Sequence, residues 1–190
     1  MDSIAMIYKV LGETSRIVDG IEPDQLDNPT PCEGWTVRDV LNHVTGGADM
    51  FAIAAAEGKV PDEKLGQLMV GDNLGTDYKA SFEAASARAK KAFEPADIAD
   101  KMITLPFGEM PAGVAVNFAI FDVTTHTWDL AKGSNQSTDL DPEVLAAALE
   151  AAQAMLNDDF RALGLFGEPV PVADDAPLQD RLAGLTGRKP

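Results

Sequence analysis

The chain has 190 residues, 45% hydrophobic and 24% charged, which is enough apolar material for a packed core and excludes global disorder. Its 31 acidic residues against 15 basic ones give a formal charge of -16, a balance that repels phosphate backbones and anionic bilayers and argues against nucleic-acid and membrane partners. The single cysteine, Cys32, excludes an internal disulfide framework and a cysteine-rich zinc module. The longest apolar run, residues 50–56, falls far short of the roughly 20 residues of a membrane span, and no basic cluster precedes an apolar stretch near Asp2. A cytoplasmic protein is expected.

Helical periodicity dominates. Ile4, Ile7, Leu11 and Val18 mark the face of a first helix, with Asp2 or Ser3 as its cap and Asp19-Gly20 at its close. A loop over residues 22–34 leads to Thr36, an N-cap with Asp39 in a box-like position three residues on. Val37, Val40, Leu41, Val44, Ala48 and Phe51 then form a second stripe, to about Glu57-Gly58. Residues 59–75 read as a long loop with at most a short helical turn. A third helix runs from near Thr76, through Phe82, Ala85 and Ala89, to Pro95. Residues 102–107 are short, partly β-branched and end in Pro-Phe-Gly, which predicts an extended segment. A fourth helix begins at Pro111 and closes at Gly133; a fifth begins at Asp141-Pro142 and runs towards Gly164. The tail holds Pro169, Pro171, Pro177 and Pro190, and only residues 178–185 suit a helical turn or two. The prediction is an all-α bundle of four long helices with one or two short extra elements over residues 1–166. A proline-rich tail over 167–190 then packs on the bundle or extends from it.

Only two histidines occur, His43 and His126. His43 falls about 60° from Val40 and about 100° from Val44 on a helical wheel, at the edge of the apolar stripe. Asp122 precedes His126 by one turn, so the two share a face with Phe118 and Ala119. A carboxylate and an imidazole amid apolar neighbours need compensation. A metal supplies it: two imidazoles and one carboxylate make a three-ligand site with open positions. An internal i,i+4 pair beside a lone hydrogen-bonded histidine is the plainer alternative. Asp129, one turn beyond His126, is placed to accept a hydrogen bond from that imidazole or from the 32–35 loop, or else is a solvated acid. Cys32, Trp35 and Trp128 read as packing residues, and Gly46-Gly47 leaves space one turn past His43.

Two stretches carry a family resemblance. They are Thr30-Pro31-Cys32-Glu33-Gly34-Trp35-Thr36-Val37-Arg38-Asp39-Val40-Leu41-Asn42-His43-Val44 and Phe121-Asp122-Val123-Thr124-Thr125-His126-Thr127-Trp128-Asp129-Leu130-Ala131. Together they resemble the DinB-like metal-binding superfamily, in the branch of the mycothiol-dependent maleylpyruvate isomerase metal-binding domain. Residues 175–183 resemble the ending of short stand-alone actinobacterial members. The resemblance implies a DinB-like four-helix bundle that holds a divalent metal through His43, Asp122 and His126: zinc first, with nickel, iron or manganese suiting the same ligands. It also implies a mycothiol-like thiol as cosubstrate and an S-transferase or isomerase acting on a small electrophile. A metal-binding bundle without turnover, and a metal-free structural domain, are the alternatives. The isomerase carries glutamate where Asp122 stands and a further C-terminal domain that this tail is too short to supply. The extended segment and the tail are candidate lids or contacts in a homodimer.

Overall fold

The computed structural model describes residues 2–190; Met1, the first residue of the expected bundle, lies outside them. The cap residues act where the sequence places them. Asp2 accepts hydrogen bonds from the Ile4 and Ala5 amides and starts α1 (Ser3–Asp19), which Gly20 closes. Thr36 and Asp39 form a reciprocal capping box at the head of α2 (Val37–Glu57), and Gly58 ends that helix in the left-handed region at φ 88°. The third expected helix, placed near Thr76 without a named cap, is α4 (Tyr78–Ala92), and Asp77 caps it.

Residues 59–75 depart from expectation, since they contain a nine-residue helix, α3 (Asp62–Val70). Acidic Asp62 and Glu63 suit its first turn, and Leu65 and Leu68 pack against the core, which outweighs the cost of Gly66 in mid-helix. The extended segment is half of an antiparallel hairpin, β1 (Met102–Leu105) with β2 (Gly108–Pro111), turning at Pro106-Phe107. Pro111 then caps α5 (Ala112–Gly133) rather than entering it. The fifth helix is shorter than expected: α6 (Pro142–Met155) stops, and Asn157 caps a separate turn, α7 (Asp158–Arg161). The tail carries α8 (Leu178–Leu185).

The four-helix bundle consists of α1, α2, α4 and α5, with α1 against α5 and α2 against α4; α6 covers the outside of α5, and α8 packs on α6. Burial on two sides explains why α5 is apolar nearly all round. Its buried threonines are satisfied locally. Thr124, Thr125 and Thr127 donate to the carbonyls four residues back, and the Thr127 hydroxyl also meets that of Thr14 at 2.8 Å. No helix among the described residues is long and apolar enough to cross a membrane.

The loop before α2 is tied to the end of α5. Asn28 donates to the Gly133 carbonyl, and a Cβ on Gly133 would lie 2.6 Å from Val37 Cγ2 and 3.0 Å from Thr30 Cγ2, so only glycine allows this approach. The turn over residues 32–35 passes through Gly34 at φ 80° and closes with the Trp35 amide donating to the Cys32 carbonyl. These constraints swing the Trp35 indole over the last turns of α5.

Candidate metal centre

His43 from α2 and Asp122 and His126 from α5 converge where the two helices face each other. Their ligand atoms all lie within 4.8 Å of one another. Nε2 of His43 stands 3.5 Å from Asp122 Oδ2, and Nε2 of His126 stands 3.7 Å from Asp122 Oδ1. Both separations are long for hydrogen bonds. They suit a shared cation better, because ligand bonds of about 2.1 Å in a tetrahedron set neighbouring ligand atoms about 3.4 Å apart. The donor set, two imidazoles and a carboxylate, fits a divalent metal of the borderline class.

The charges are poised in the same sense. Burial works against ionised Asp122, yet His126 and His43 beside it, with Arg188 farther off, hold its carboxyl below the usual carboxylate range. Burial likewise opposes charge on His43, but the neighbouring Asp122 outweighs it and raises the imidazole above the ordinary histidine value.

The other nitrogen of His126 is already engaged. Its Nδ1 lies 3.0 Å from Oδ2 of Asp129, a carboxylate with no solvent exposure. Asp129 in turn receives Nη2 of Arg188 at 2.9 Å and its Nε at 3.3 Å, while Nη1 of Arg188 donates to the Thr186 carbonyl. With Nδ1 donating to Asp129, Nε2 of His126 is left as the acceptor facing His43 and Asp122. Cys32, His126 and Asp129 form a second close trio, but there both Nδ1 and the carboxylate have partners. Burial pushes the Cys32 thiol up; the Arg188 guanidinium works against the rise and Asp129 and Asp122 work with it, and the net shift is upward, so the sulfur stays protonated at neutral pH.

Trp35 is more than packing. Its ring stacks on His126 at 5.7 Å with planes 4° apart and meets His43 edge-on at 5.1 Å. Trp128, by contrast, is buried in the core as expected. A cavity of about 450 Å³ opens over the centre, with Trp35, Phe118 and Phe166 as apolar walls and Cys32 and Arg188 as polar ones. Sequence reasoning missed Arg188. An arginine near the end of a proline-rich tail carries no motif, and only the docking of α8 brings it 59 positions back to Asp129.

Comparison with known proteins places this centre in context. The family model for the mycothiol maleylpyruvate isomerase N-terminal domain matches residues 9–131. The chain belongs to this family. Two uncharacterized proteins of Mycobacterium tuberculosis, from strains CDC 1551 and H37Rv, are each 33% identical over 189 residues, covering 99% of this chain and 98% of the relative. Crystal structures of the mycothiol-dependent maleylpyruvate isomerase and of a histidine-to-alanine mutant share the fold, at TM-scores of 0.66 and 0.68 and 21% and 19% identity. Each match covers 91% of this chain and 75% of theirs. The isomerase-domain match includes Trp35, His43, Asp122, His126 and Asp129, whereas Arg188 lies beyond it.

Proposed function

We propose that this protein binds one divalent cation, zinc before nickel, iron or manganese, through His43, Asp122 and His126, and acts with a low-molecular-weight thiol on a small electrophile, as a transferase or an isomerase. The observation that carries the reading is the gap between three ligand groups that face one another without bonding, while the far nitrogen of His126 is fixed by Asp129. The mycothiol dependence of the structurally similar isomerases supports mycothiol as the thiol. A divalent cation at this point supplies Lewis-acid chemistry and stabilises a thiolate at neutral pH.

The chain's own residues do the rest. Asp122 would cancel only one of the two charges of a divalent cation and neutral imidazole ligands cancel none, so the charge balance of a loaded centre would still favour an incoming anion such as a thiolate. Asp129 holds the tautomer and ring plane of His126, and Trp35 limits the swing of both imidazoles by stacking on one and abutting the other. The cavity is of the size that takes small-molecule ligands, and its aromatic walls offer an apolar surface beside the reacting sulfur. With Cys32 held neutral, the nucleophile is the sulfur of the cosubstrate. In a transfer the sulfur bonds to the electrophilic carbon while a leaving group departs with the bonding pair, or while the π bond of an acceptor opens and its far carbon takes the proton the thiol gave up. In an isomerisation the sulfur adds across a carbon–carbon double bond, the adduct rotates, and the sulfur leaves as the double bond re-forms, returning the thiol unchanged.

The test is metal content by plasma mass spectrometry on untagged protein, beside His43→Ala and His126→Ala. About one metal per chain in the parent, lost in both variants, is expected, followed by a change in the visible spectrum of cobalt-loaded protein when thiol is added. A parent without metal after incubation with excess zinc or nickel refutes the proposal.

A further inference from the structure

A second, smaller cavity adjoins the centre from inside the bundle. It shares His43 and Asp122 with the outer cavity but is otherwise enclosed by α1, α2, α4 and α5, with a volume of about 40 Å³. Its cause lies in the sequence, because Gly47 and Ala48 on α2, Ala89 on α4 and Ala119 on α5 all face it, placing small residues where a bundle normally interleaves large ones. The two adjacent glycines differ in purpose. A Cβ on Gly46 would strike the Leu68 carbonyl at 2.1 Å, so that glycine admits α3. A Cβ on Gly47 would meet nothing within 4 Å, so no packing contact calls for the missing side chain.

The lining also selects by charge. No lysine or arginine borders the cavity, the Tyr8 hydroxyl on its wall is committed to the Lys90 carbonyl at 2.8 Å, and the one carboxylate present is Asp122. An anionic group entering here would find no free hydrogen-bond donor or fixed cation on the walls, since the ligand atoms of His43 and Asp122 are turned to the shared centre, and would lie desolvated among apolar side chains. A volume of this size takes about one water or a hydrocarbon fragment of one or two carbons, and an apolar cavity stays dry and takes apolar guests.

We propose that this cavity is a substrate subsite that receives a short uncharged hydrocarbon end of the electrophile, with the thiol entering from the outer, Arg188-bearing side. The assignment rests on the metal-and-thiol reading above. It makes the substrate class a small neutral electrophile with a methyl- to ethyl-sized apolar end, and excludes one with a carboxylate at that end.

Two measurements test it. Xenon NMR on metal-free protein reads the cavity without the metal: the parent and Gly47→Ala take up xenon, while Gly47→Leu and Ala119→Leu, which fill it from facing helices, do not. Circular dichroism identifies which Leu variant is folded and therefore informative. On cobalt-loaded protein, propionohydroxamate binds about fourfold tighter than acetohydroxamate, the gain from burying one methylene, and the carboxylate-tailed malonic monohydroxamate binds more weakly than either. In a folded Leu variant the methylene gain disappears. Equal chain-length dependence in the parent and the folded Leu variant, tighter binding of the carboxylate tail, or no xenon uptake by the parent overturns the subsite. Failure of cobalt to bind at all appears separately in the visible spectrum. It refutes the metal reading and removes the subsite with it, even where xenon still enters.

Discussion

Replacing Arg188 by methionine isolates the charge from the packing. Methionine keeps most of the aliphatic stem, so the main loss is the guanidinium on Asp129. That carboxylate has no solvent exposure, and the guanidinium supplies it with Nη2 at 2.9 Å and Nε at 3.3 Å, leaving only His126 Nδ1 at 3.0 Å once Arg188 is gone. Breaking one side of a buried pair costs about 3–5 kcal/mol, against a total of about 5–15 kcal/mol for a domain. At a urea dependence of about 2 kcal/mol per molar, the unfolding midpoint of metal-free protein falls by about 1.5–2.5 M. Asp129→Asn with Arg188→Met recovers much of this, because a neutral amide oxygen still accepts from His126 and no charge is stranded. Equilibrium urea unfolding of parent, single and double variants, combined as a double-mutant cycle, gives the coupling directly. A single variant within 1 kcal/mol of the parent, or a double variant no more stable than Arg188→Met, refutes the reasoning.

Metal affinity, read by calorimetric titration from pH 8 to pH 5, falls as pH drops, since each imidazole must lose its proton to ligate. The raised His43 value starts that fall above the ordinary histidine range, and a flat profile counts against both histidines as ligands. Thr36→Ala removes the α2 cap and costs about 1 kcal/mol in chemical denaturation. The Thr36 hydrogen bonds hold Asp39 below its usual value, so the stability it adds is present above the unfolded carboxyl value and is lost as pH falls through the folded one. The parent–variant difference therefore narrows in acid, and a constant difference refutes the box. Gly133→Ala forces a Cβ to 2.6 Å from Val37 Cγ2 and destabilises by about 1–3 kcal/mol, whereas an unchanged thermal midpoint would show that the loop can give way.

The long helices were legible because their signals are local. Asp2 and Thr36 with Asp39 act within one turn, and the apolar spacing follows helix geometry. The pairing of Asp122 with His126 was legible for the same reason, one turn apart on one helix face, and His43 stood at the edge of its stripe. That the three share one centre was what the family resemblance implied, and the structure brings their ligand atoms within 4.8 Å. What the sequence concealed depends on distant contacts. The α3 helix holds its shape against α2 in spite of Gly66, and β2 needs β1 for pairing that its own Gly-Glu-Met-Pro does not announce. Trp35 looked like core because an indole beside a proline-bound cysteine usually is; only the Gly133 approach reveals that the loop carries it over His126. Arg188 depends on the docking of α8 on α6, which no local pattern encodes.

The route by which Arg188 reaches Asp129 bears on how the protein responds to cutting. The stretch joining α7 to α8 is largely exposed at residues 167–169 and again at 173–175, so a protease meets it before it meets the bundle. A cut there breaks no contact of α8 with α6 and leaves the guanidinium in place. What it abolishes is the tether, which until then kept the helix at a high effective concentration beside its seat. A nicked sample then behaves as a complex of two fragments. Under the proposed metal reading, its metal affinity falls on dilution and is restored by added tail peptide, a concentration dependence that the uncut chain does not have.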